Sequence, residues 1–298
     1  MTSTADYSDN SVAQLVGQRA QRWQLRTRWI EFPRRPLVMG IVNVTPDSFS
    51  DGGRFVDADA AIDHALRLAA EGADLLDIGG ESTRPYSDIV AATEELRRVL
   101  PVVKAVARQV SIPISIDTTK AAVARVALDA GAEIINDVTA LTGDPEMIST
   151  ALATGAAVCA MHMQGTPQTM QDNPTYSNVV TDVQDYLAQR LESLELSGIP
   201  RDRICLDPGV GFGKTHEHNI ELMKNCYQFH SLGCPLLVGH SRKGFLGKLI
   251  GDKEADRVNA NVGAALGLAV QGVQIVRVHD VRAVREALTV FEAIGGLA

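Results

Sequence analysis

The chain has 298 residues, 45% of which are hydrophobic, and it carries a formal net charge of -8. The acidic total argues against nucleic acid or an anionic membrane surface as the main partner, and no apolar run approaches the ~20 residues of a membrane span. Four cysteines without CxxC spacing or the density of a disulfide framework favour a reduced, cytoplasmic protein.

Two features precede the first long apolar run. Residues 1–20 begin with a polar stretch and are expected to form a flexible N-terminal tail. Residues 23–34, WQLRTRWIEFPR, alternate roughly between apolar and polar and contain both tryptophans, which predicts a short β-hairpin. From residue 21 to residue 298 no linker or shift in composition divides the chain, so we expect a single domain there.

Eight apolar runs then recur along the chain. They are continuous rather than alternating, as is typical of strands that are covered on both faces. The runs are LVMGIVN (37–43), LLDIGG (75–80), IPISID (112–117), EIIND (133–137), AVCAMH (157–162), ICLD (204–207), PLLVGHS (235–241) and QIVRVHD (274–280).

Helical patterns separate these runs. Apolar residues at 62, 65, 66 and 69, and again at 281, 284, 288 and 291, follow helical spacing. A third pattern, 96–106, contains Pro101, which should kink or restart that helix. Glycine precedes six of the runs and is the expected cap of the helix before each one: Gly72, Gly131, Gly155, Gly198, Gly233 and Gly272. The alternation predicts a (β/α)8 TIM barrel, with the β-hairpin closing its bottom.

Nearly every predicted strand ends in a polar group. A capping or turn role is the default for any one of them, but the carboxyl ends of barrel strands meet at one face, where active sites lie. The groups are Asn43, Glu81, Asp117, Asn136, His162, Asp207, Ser241 with Lys243, and Arg277 with His279. They predict a polar funnel above an apolar barrel.

The funnel divides into two chemistries. One set suits a flat heterocycle resembling guanine: Asp117, Asn136, Asp207 and Lys243. Its two carboxylates could instead hold a divalent metal, although the nearby ammonium of Lys243 would oppose a cation. The other set suits a phosphate or pyrophosphate: Asn43, Thr83, Arg84, Arg277 and His279. The stretch DPGVGFGK (207–214) lacks the spacing of a P-loop, and we interpret Phe212 as a ring that packs against a planar ligand.

The loop after the first strand, NVTPDSFSDGG (43–53), places one aromatic ring in a polar segment. Gly52 and Gly53 would let this loop close over the funnel and open again. We therefore expect Phe49 to be buried only in the closed state.

These segments resemble the successive motifs of bacterial dihydropteroate synthases. The matching stretches, in order from Arg35 to Ala293, are MGIVNVTPDSFSDGG, GGESTRP, SIDTTK, IINDV, MHMQGTPQTMQ, LDPGVGFGK, GHSRKGFLG and RVHDV. The resemblance implies a (β/α)8 barrel, a homodimer, a role in folate biosynthesis as a sulfonamide target, and two small-molecule substrates. It implies transfer of a dihydropterin from its diphosphate to p-aminobenzoate, with Mg2+ as cofactor and an SN1-like displacement.

The resemblance also assigns residues. Those implied to bind the pterin are Asp117, Asn136, Met161, Asp207, Phe212, Lys243 and Arg277. Those implied to bind the diphosphate are Asn43, Thr83, Arg84, Arg277 and His279. Those implied to bind p-aminobenzoate are Phe49, Thr83, Pro85, Lys243 and Gly244. The implied metal ligands are Asn43 and Asp51, and the implied catalytic groups are Asp117, Lys243, Arg277 and His279.

Two segments depart from the family pattern. Tyr86 and Ser87 follow ESTRP where members usually have Gly-Ala, and Gly244 follows SRK where many have Ser. Two other interpretations stay open: a pterin-binding methyltransferase domain that serves a corrinoid, and a non-catalytic pterin-binding paralogue. The first would not need a diphosphate site, so Asn43 and the RVHD segment discriminate against it.

Overall fold

The eight predicted strands form a single parallel sheet that closes into a barrel. The structure is a computed structural model that describes residues 9–45, 56–252 and 254–297. Within these ranges the barrel strands are β3 (Leu37–Asn43), β4 (Leu75–Gly79), β5 (Ile114–Asp117), β6 (Ile134–Asp137), β7 (Ala157–Met161), β8 (Ile204–Asp207), β9 (Leu237–Gly239) and β10 (Ile275–Val278). The TIM-barrel prediction is confirmed.

Neighbouring strands in the barrel are consecutive in sequence, except that the first, β3, pairs with the last, β10. The hydrogen-bonded order is β8-β7-β6-β5-β4-β3-β10-β9, and a parallel bridge between Leu206 and Leu236 joins β8 to β9. Each crossover between parallel strands runs through a helical segment on the outside, which is why both faces of the sheet are covered.

Helices lie between the strands. Within the described ranges they are α1 (Asp9–Val16), α2 (Val56–Ala70), α3 (Ala92–Ala107), α4 (Ala121–Asp129), α5 (Met147–Thr154), α6 (Val179–Leu196), α7 (His216–Lys224), α8 (Gly244–Leu249), α9 (Val258–Val270) and α10 (Val281–Ala293), with 3-10 turns at Arg201–Arg203 and Cys226–Leu232. All six glycines predicted as caps have positive φ values, between 68° and 119°. Helix α3 continues through Pro101 and does not restart there.

The interior of the barrel and its exterior form two hydrophobic cores. The larger packs the outer faces of the strands against the helices. The smaller fills the lower interior of the barrel, and there Trp23, Leu25 and Phe32 of the hairpin pack against inward-pointing strand residues such as Met39 and Leu75. Because Trp23 is fully buried, the hairpin closes the bottom of the barrel as predicted.

That hairpin consists of β1 (Arg22–Gln24) and β2 (Trp29–Glu31), paired antiparallel. Ahead of it, residues expected to form a tail include the helix α1. Arg19 donates to the backbone carbonyls of Phe32 and Arg34 at 3.3 and 3.1 Å, so the segment after α1 is tied to the hairpin. None of the helices in the described ranges has the length and apolar character needed to cross a bilayer.

Candidate functional site

Three of the predicted site residues lie in one row across the barrel. Asn43 is the register partner of Gly79, Gly79 of Asp117, and Asp117 of Asn136. Register partners in a parallel sheet point to the same face, so the three polar side chains share the carboxyl end of the interior. A Cβ on Gly79 would lie 3.2 Å from the Cβ of Asp117, which explains why this strand end carries a glycine between polar neighbours.

Arg277 lies across the barrel mouth and contacts two carboxylates. Its Nε donates to Asp77 Oδ2 at 2.6 Å and its Nη2 donates to Asp117 Oδ2 at 2.8 Å. The two aspartates come from neighbouring strands, and Asp77 is fully buried. Burial raises the pKa of Asp117 to about 7, although the Arg277 charge opposes this shift. The two carboxyl groups thus share one guanidinium.

Asn136 is held by the same buried aspartate. Its Nδ2 donates to Asp77 Oδ2 at 3.0 Å, and the residue is 6% exposed. Asp77 was not among the predicted site residues. The signal available in the sequence was a single charged residue inside the apolar run LLDIGG, which a covered strand tolerates only when the charge is paired.

Asp207 and Lys243 lie on the opposite side of the mouth. Asp207 Oδ1 accepts from the Gly209 amide at 2.7 Å, while burial raises its pKa against the nearby positive charges of Lys243 and Lys214. Lys243 donates to the Val210 carbonyl, and burial lowers the pKa of its ammonium to about 8. Both groups are therefore tied to the glycine-rich segment that follows β8.

The two predicted apolar contacts lie beside these polar groups. Met161 is the register partner of Asp207 and is 3% exposed. The Phe212 ring has the ammonium of Lys243 4.5 Å from its centroid, a cation–π distance. Gly211 precedes Phe212 with a φ of 86°, and a Cβ there would lie 2.6 Å from Lys243 Cδ, so this position favours glycine. Asp207, Met161, Phe212 and Lys243 thus form one wall.

Behind this wall lies a buried lysine that the sequence interpretation missed. Lys214 Nζ contacts His162 Nδ1 at 2.8 Å and donates to the Phe212 carbonyl at 2.9 Å. Burial lowers the pKa of Lys214 well below its ordinary value and lowers the pKa of His162 to about 3. Lys214 joins the end of β7 to the glycine-rich segment, and the available signal was a lysine that ends a glycine repeat, GVGFGK.

The remaining cationic groups gather near β10. His279 Nδ1 lies 3.0 Å from Ser241 Oγ. Burial, followed by the charges of Arg242 and Arg277, lowers the pKa of His279 to about 3, and Arg84 acts in the same direction. His279 is therefore neutral at pH 7 in this state, and it offers a hydrogen-bond donor near three guanidiniums.

Arg242 was also missed by the sequence interpretation. It has a left-handed backbone, φ 58°, and its Nη2 donates to Asp280 Oδ1 at 2.7 Å. An arginine in this conformation is uncommon. The conformation places Arg242 close enough to His279 to affect its pKa, on the same side as the predicted diphosphate residues.

The loop that carries Thr83, Arg84 and Pro85 is anchored at its base. Thr83 is half-buried and the other two are exposed. Glu81 accepts from the Val90 amide at 2.7 Å and from Lys120 Nζ at 2.8 Å, which joins both ends of the loop to the segment after β5. Arg84 and Pro85 therefore project from a fixed base toward solvent.

Tyr86 occupies a glycine-like conformation in that loop. Its φ is 63°, and its hydroxyl donates to Asp172 Oδ1 at 3.1 Å while its amide donates to the Pro167 carbonyl at 3.1 Å. The departure from the family's usual glycine thus costs backbone strain of about 1–2 kcal/mol. Contacts with the loop after β7 offset that strain.

Two predicted residues, Phe49 and Asp51, lie outside the described residues. Gly244 begins the six-residue helix α8, and a Cβ there would have His216 Cε1 as its nearest neighbour, at 3.9 Å. Among the described residues no group of three or more His, Cys, Asp or Glu could hold a metal ion. Arg277 and Lys243 beside the carboxylates of Asp117 and Asp207 oppose a cation.

Comparisons with known proteins point to one family. Residues 39–279 match the protein family described as "Pterin binding enzyme". The Escherichia coli K12 protein named dihydropteroate synthase is 45% identical over 258 residues, covering 87% of this chain and 91% of that protein. The family match includes every barrel strand except the first two residues of β3.

Solved structures agree with the sequence comparisons. A Xanthomonas albilineans dihydropteroate synthase with 4-aminobenzoic acid has a TM-score of 0.86 and 44% identity, covering 94% of this chain and 100% of that one. The same organism's enzyme in complex with 7,8-dihydropteroate has a TM-score of 0.83 and 42% identity, covering 93% and 100%. The fold, the order of its motifs and these matches show that the chain belongs to the pterin-binding enzymes and, among them, to the dihydropteroate synthases, which are transferases.

Proposed function

We propose that this transferase joins 6-hydroxymethyl-7,8-dihydropterin diphosphate to p-aminobenzoate, forming 7,8-dihydropteroate and releasing pyrophosphate. The two Xanthomonas structures, one with 4-aminobenzoic acid and one with 7,8-dihydropteroate, support this choice of ligands. The observation that carries the proposal is the position of Arg277 between Asp77 and Asp117 at the barrel mouth, in the interior that also presents Asn136.

The pterin is proposed to lie between the two walls of the mouth. Asp207 would accept ring N–H groups, and Lys243 would donate to a ring carbonyl or nitrogen. The planar guanidinium of Arg277 would stack on the pterin face. Asp117 and Asn136 meet the ring from the opposite strands, and Met161 and Phe212 pack beside it.

The chemical step is proposed to begin with cleavage of the bond between the pterin methylene carbon and the diphosphate oxygen. Pyrophosphate leaves with the electron pair, and Asp117 favours the positive charge left on the methylene. The amine of p-aminobenzoate then forms the new C–N bond and loses a proton. Because both partners are held in one mouth, orientation supplies much of the rate, and no protein nucleophile is required.

The diphosphate is proposed to bind at the cationic side of the mouth. Arg84, Arg277 and the neutral imidazole of His279 would contact its oxygens, with Thr83 donating from the loop base. Asn43 would hold Mg2+ at the end of β3, together with Asp51 from the loop beyond. A donor set with few protein oxygens suits Mg2+, which usually keeps several waters and binds substrate phosphates. When bound, Mg2+ would offset charge on the departing pyrophosphate.

p-Aminobenzoate is proposed to bind near Thr83, Pro85, Lys243 and Gly244, with Phe49 as the ring that closes over it. Gly244 offers only its amide to the carboxylate. The variant Gly244→Ser should lower the KM for p-aminobenzoate about fivefold, since an added hydroxyl contributes a hydrogen bond of about 1 kcal/mol. Its Cβ has room, so thermal stability should stay unchanged. An unaltered KM in a stable variant would contradict this placement of the carboxylate.

Pterin diphosphate binding should weaken as pH rises through about 8. The pKa of Lys243 is lowered to about 8, chiefly by burial, so the ammonium loses its proton above that pH and one donor charge is lost. Calorimetry between about pH 6 and about pH 10 measures this alkaline limb, the fall in affinity as Lys243 loses its proton. In Lys243→Arg the guanidinium stays charged over this range, so the alkaline limb should disappear even though affinity is lower. Persistence of the limb would assign it to another group.

A combined binding and turnover experiment tests the function. Calorimetry with pterin diphosphate, with and without Mg2+, is followed by a pyrophosphate-release assay that starts on addition of p-aminobenzoate. We expect Mg2+-dependent binding and release. Pterin binding without pyrophosphate release would instead support a non-catalytic pterin-binding protein. A pterin affinity that does not depend on the diphosphate group would support a methyltransferase-like domain.

We also propose that the enzyme is a homodimer. A groove of about 400 Å³ runs between α7, α8 and α9 and is lined mainly by apolar side chains, including Ile220, Met223, Phe245 and Leu249. Leu249 is 59% exposed and Val270 is 56% exposed, so this face leaves apolar surface for a second copy to cover. Sedimentation equilibrium should give twice the monomer mass, and Leu249→Asp should reduce it to that of the monomer.

A cytoplasmic location is proposed as well. All four cysteines, which lie in the described ranges, are buried free thiols, as is usual in reducing compartments.

A further inference from the structure

Asp77 is a buried charged residue to which the proposed reaction gives no role. It lies in the middle of β4, two residues before Gly79, and is fully buried. Its position is therefore one interior layer below the row that contains Asp117 and Asn136. A charge at this depth is retained only where it is paired, and both partners of Asp77 are residues of the proposed pterin pocket.

The first partner is Arg277. Asp77 Oδ2 accepts from its Nε at 2.6 Å, while Asp117 Oδ2 accepts from its Nη2 at 2.8 Å. These two contacts reach the guanidinium from neighbouring strands. Two hydrogen bonds at different nitrogens fix both the place and the plane of a guanidinium, which is the property that a stacking cation needs.

The second partner is Asn136. Its Nδ2 donates to the same oxygen of Asp77 at 3.0 Å. The amide nitrogen is the only donor on the Asn136 side chain, so the contact with Asp77 takes up that nitrogen. The atom that remains for a ligand is Oδ1, which accepts. The buried aspartate thus decides which polarity Asn136 presents.

We propose that Asp77 is a positioning residue for pterin binding, which holds the guanidinium plane of Arg277 and the amide orientation of Asn136 through a single carboxylate oxygen. The proposal rests on the assignment of Arg277 and Asn136 to the pterin. It makes Asp77 a determinant of specificity, because a ligand must offer a donor where Asn136 offers only its carbonyl.

The same aspartate affects the ionisation of Asp117. Burial raises the pKa of Asp117, the Arg277 charge lowers it, and the negative charges of Asp77, Glu95 and Asp137 raise it further. Pterin binding should weaken as pH falls and Asp117 gains a proton, and removing the charge of Asp77 should move this acidic limb of the binding curve to lower pH. A residue that served only to fill space would leave that limb in place.

Two variants and a matched control test the proposal. Asp77→Ala removes the shared acceptor, and affinity for pterin diphosphate should fall roughly 10–100-fold, the usual effect of removing a supporting contact, while the KM for p-aminobenzoate stays within about twofold. Asp77→Asn keeps one oxygen that can accept from both partners but removes the charge. Asp77→Asn should retain most of the affinity for pterin diphosphate and shift the acidic limb of binding to lower pH. It therefore tests the proposal even if Asp77→Ala does not fold.

Ser115→Ala is the control. Ser115 is the register partner of Asp77 and is equally buried, and its hydroxyl has no hydrogen-bond partner among the described residues. Its variant should bind pterin diphosphate as the wild type does. If Ser115→Ala lost as much affinity for pterin diphosphate as Asp77→Ala, any substitution in the barrel interior would weaken binding. That result would overturn the proposal.

Single and double variants separate this inference from the assignment on which it rests. Arg277→Ala and Asn136→Ala should each lose pterin affinity, and unchanged affinity in both would overturn the pocket assignment itself. If they lose affinity while Asp77→Ala does not, only the positioning role fails. In the double variant Asp77→Ala with Asn136→Ala, the fold-loss of pterin affinity should be smaller than the product of the two single-variant losses. A loss equal to that product would overturn the role of Asp77.

Discussion

Replacing Arg277 with methionine is expected to lower kcat/KM by about 10³-fold or more, because one forked donor is proposed to serve both the pterin face and the departing diphosphate. The same change should destabilise the fold by about 3–5 kcal/mol, the usual cost of removing one partner from a buried ion pair. Asp77 and Asp117 would face each other without the guanidinium that contacts both. Urea denaturation and steady-state kinetics measure the two effects.

The stability loss in Arg277→Met should depend on pH. Without the guanidinium the pKa of Asp117, already raised by burial, rises further, so the folded state binds more protons than the unfolded chain between roughly pH 4 and pH 7. The free energy of unfolding then falls as pH rises through this window, and acidification partly restores it. Equal denaturation midpoints for wild type and variant at pH 7 would show that the pair does not support the fold.

Arg277→Lys is the matched control. Lysine keeps the charge but has no planar fork and can satisfy only one carboxylate well. We expect an intermediate loss of stability and a loss of activity close to that of methionine. If lysine restored activity fully, charge alone would account for the role of Arg277, and the fixed plane would have no importance.

Replacing Gly209 with alanine is the second change with a large expected effect. Gly209 has φ 69°, and a Cβ there would lie 1.8 Å from the backbone oxygen of His162. That atom cannot yield like a flexible side chain, so the segment after β8 must move. We expect a loss of about 2–5 kcal/mol, the sum of left-handed strain and overpacking.

Activity should fall with Gly209→Ala because the displaced segment carries two parts of the pterin wall. The Val210 carbonyl holds Lys243, and Phe212 lies under the same ammonium. Calorimetry should therefore show at least about tenfold weaker binding of pterin diphosphate, since a hydrogen bond to a charged group contributes about 1.5–3 kcal/mol.

Gly198→Ala separates strain from collision. Gly198 also has a positive φ, 100°, but the nearest atom to its Cβ would be Leu152 Cδ2 at 3.7 Å. This variant should lose only about 1–2 kcal/mol from backbone strain and keep wild-type affinity for pterin diphosphate. Thermal unfolding of both variants provides the comparison, and equal losses would show that the contact with His162 is unimportant.

The architecture was predictable because it depends on local patterns. Continuous apolar runs, helical spacing and the capping glycines repeat along the chain, and each reports a requirement of one segment alone. The polar residue at the end of each strand was equally visible. From these features the barrel and the row of Asn43, Asp117 and Asn136 could be expected, since strands of known order place their ends together.

The contacts between those residues were not predictable in this way. Asp77 and Arg277 are 200 positions apart in the chain. Only the register of β4 with β3, and of β3 with β10, brings their side chains together inside the barrel. Lys214 and Arg242 stand in motifs that were noted, but burial of the first and the left-handed backbone of the second arise from packing against distant segments.

The sequence by itself therefore determined the fold class, the family, and which residue types gather at the mouth, because periodicity and motif order are properties of the chain. Tertiary structure alone decided how those residues are partnered. Burial raises the pKa of Asp117 and lowers that of Lys243 and His279, and one aspartate orients both Arg277 and Asn136. Desolvation and hydrogen-bond geometry depend on what surrounds a group in space, and that surrounding exists only once the strands have closed into a barrel.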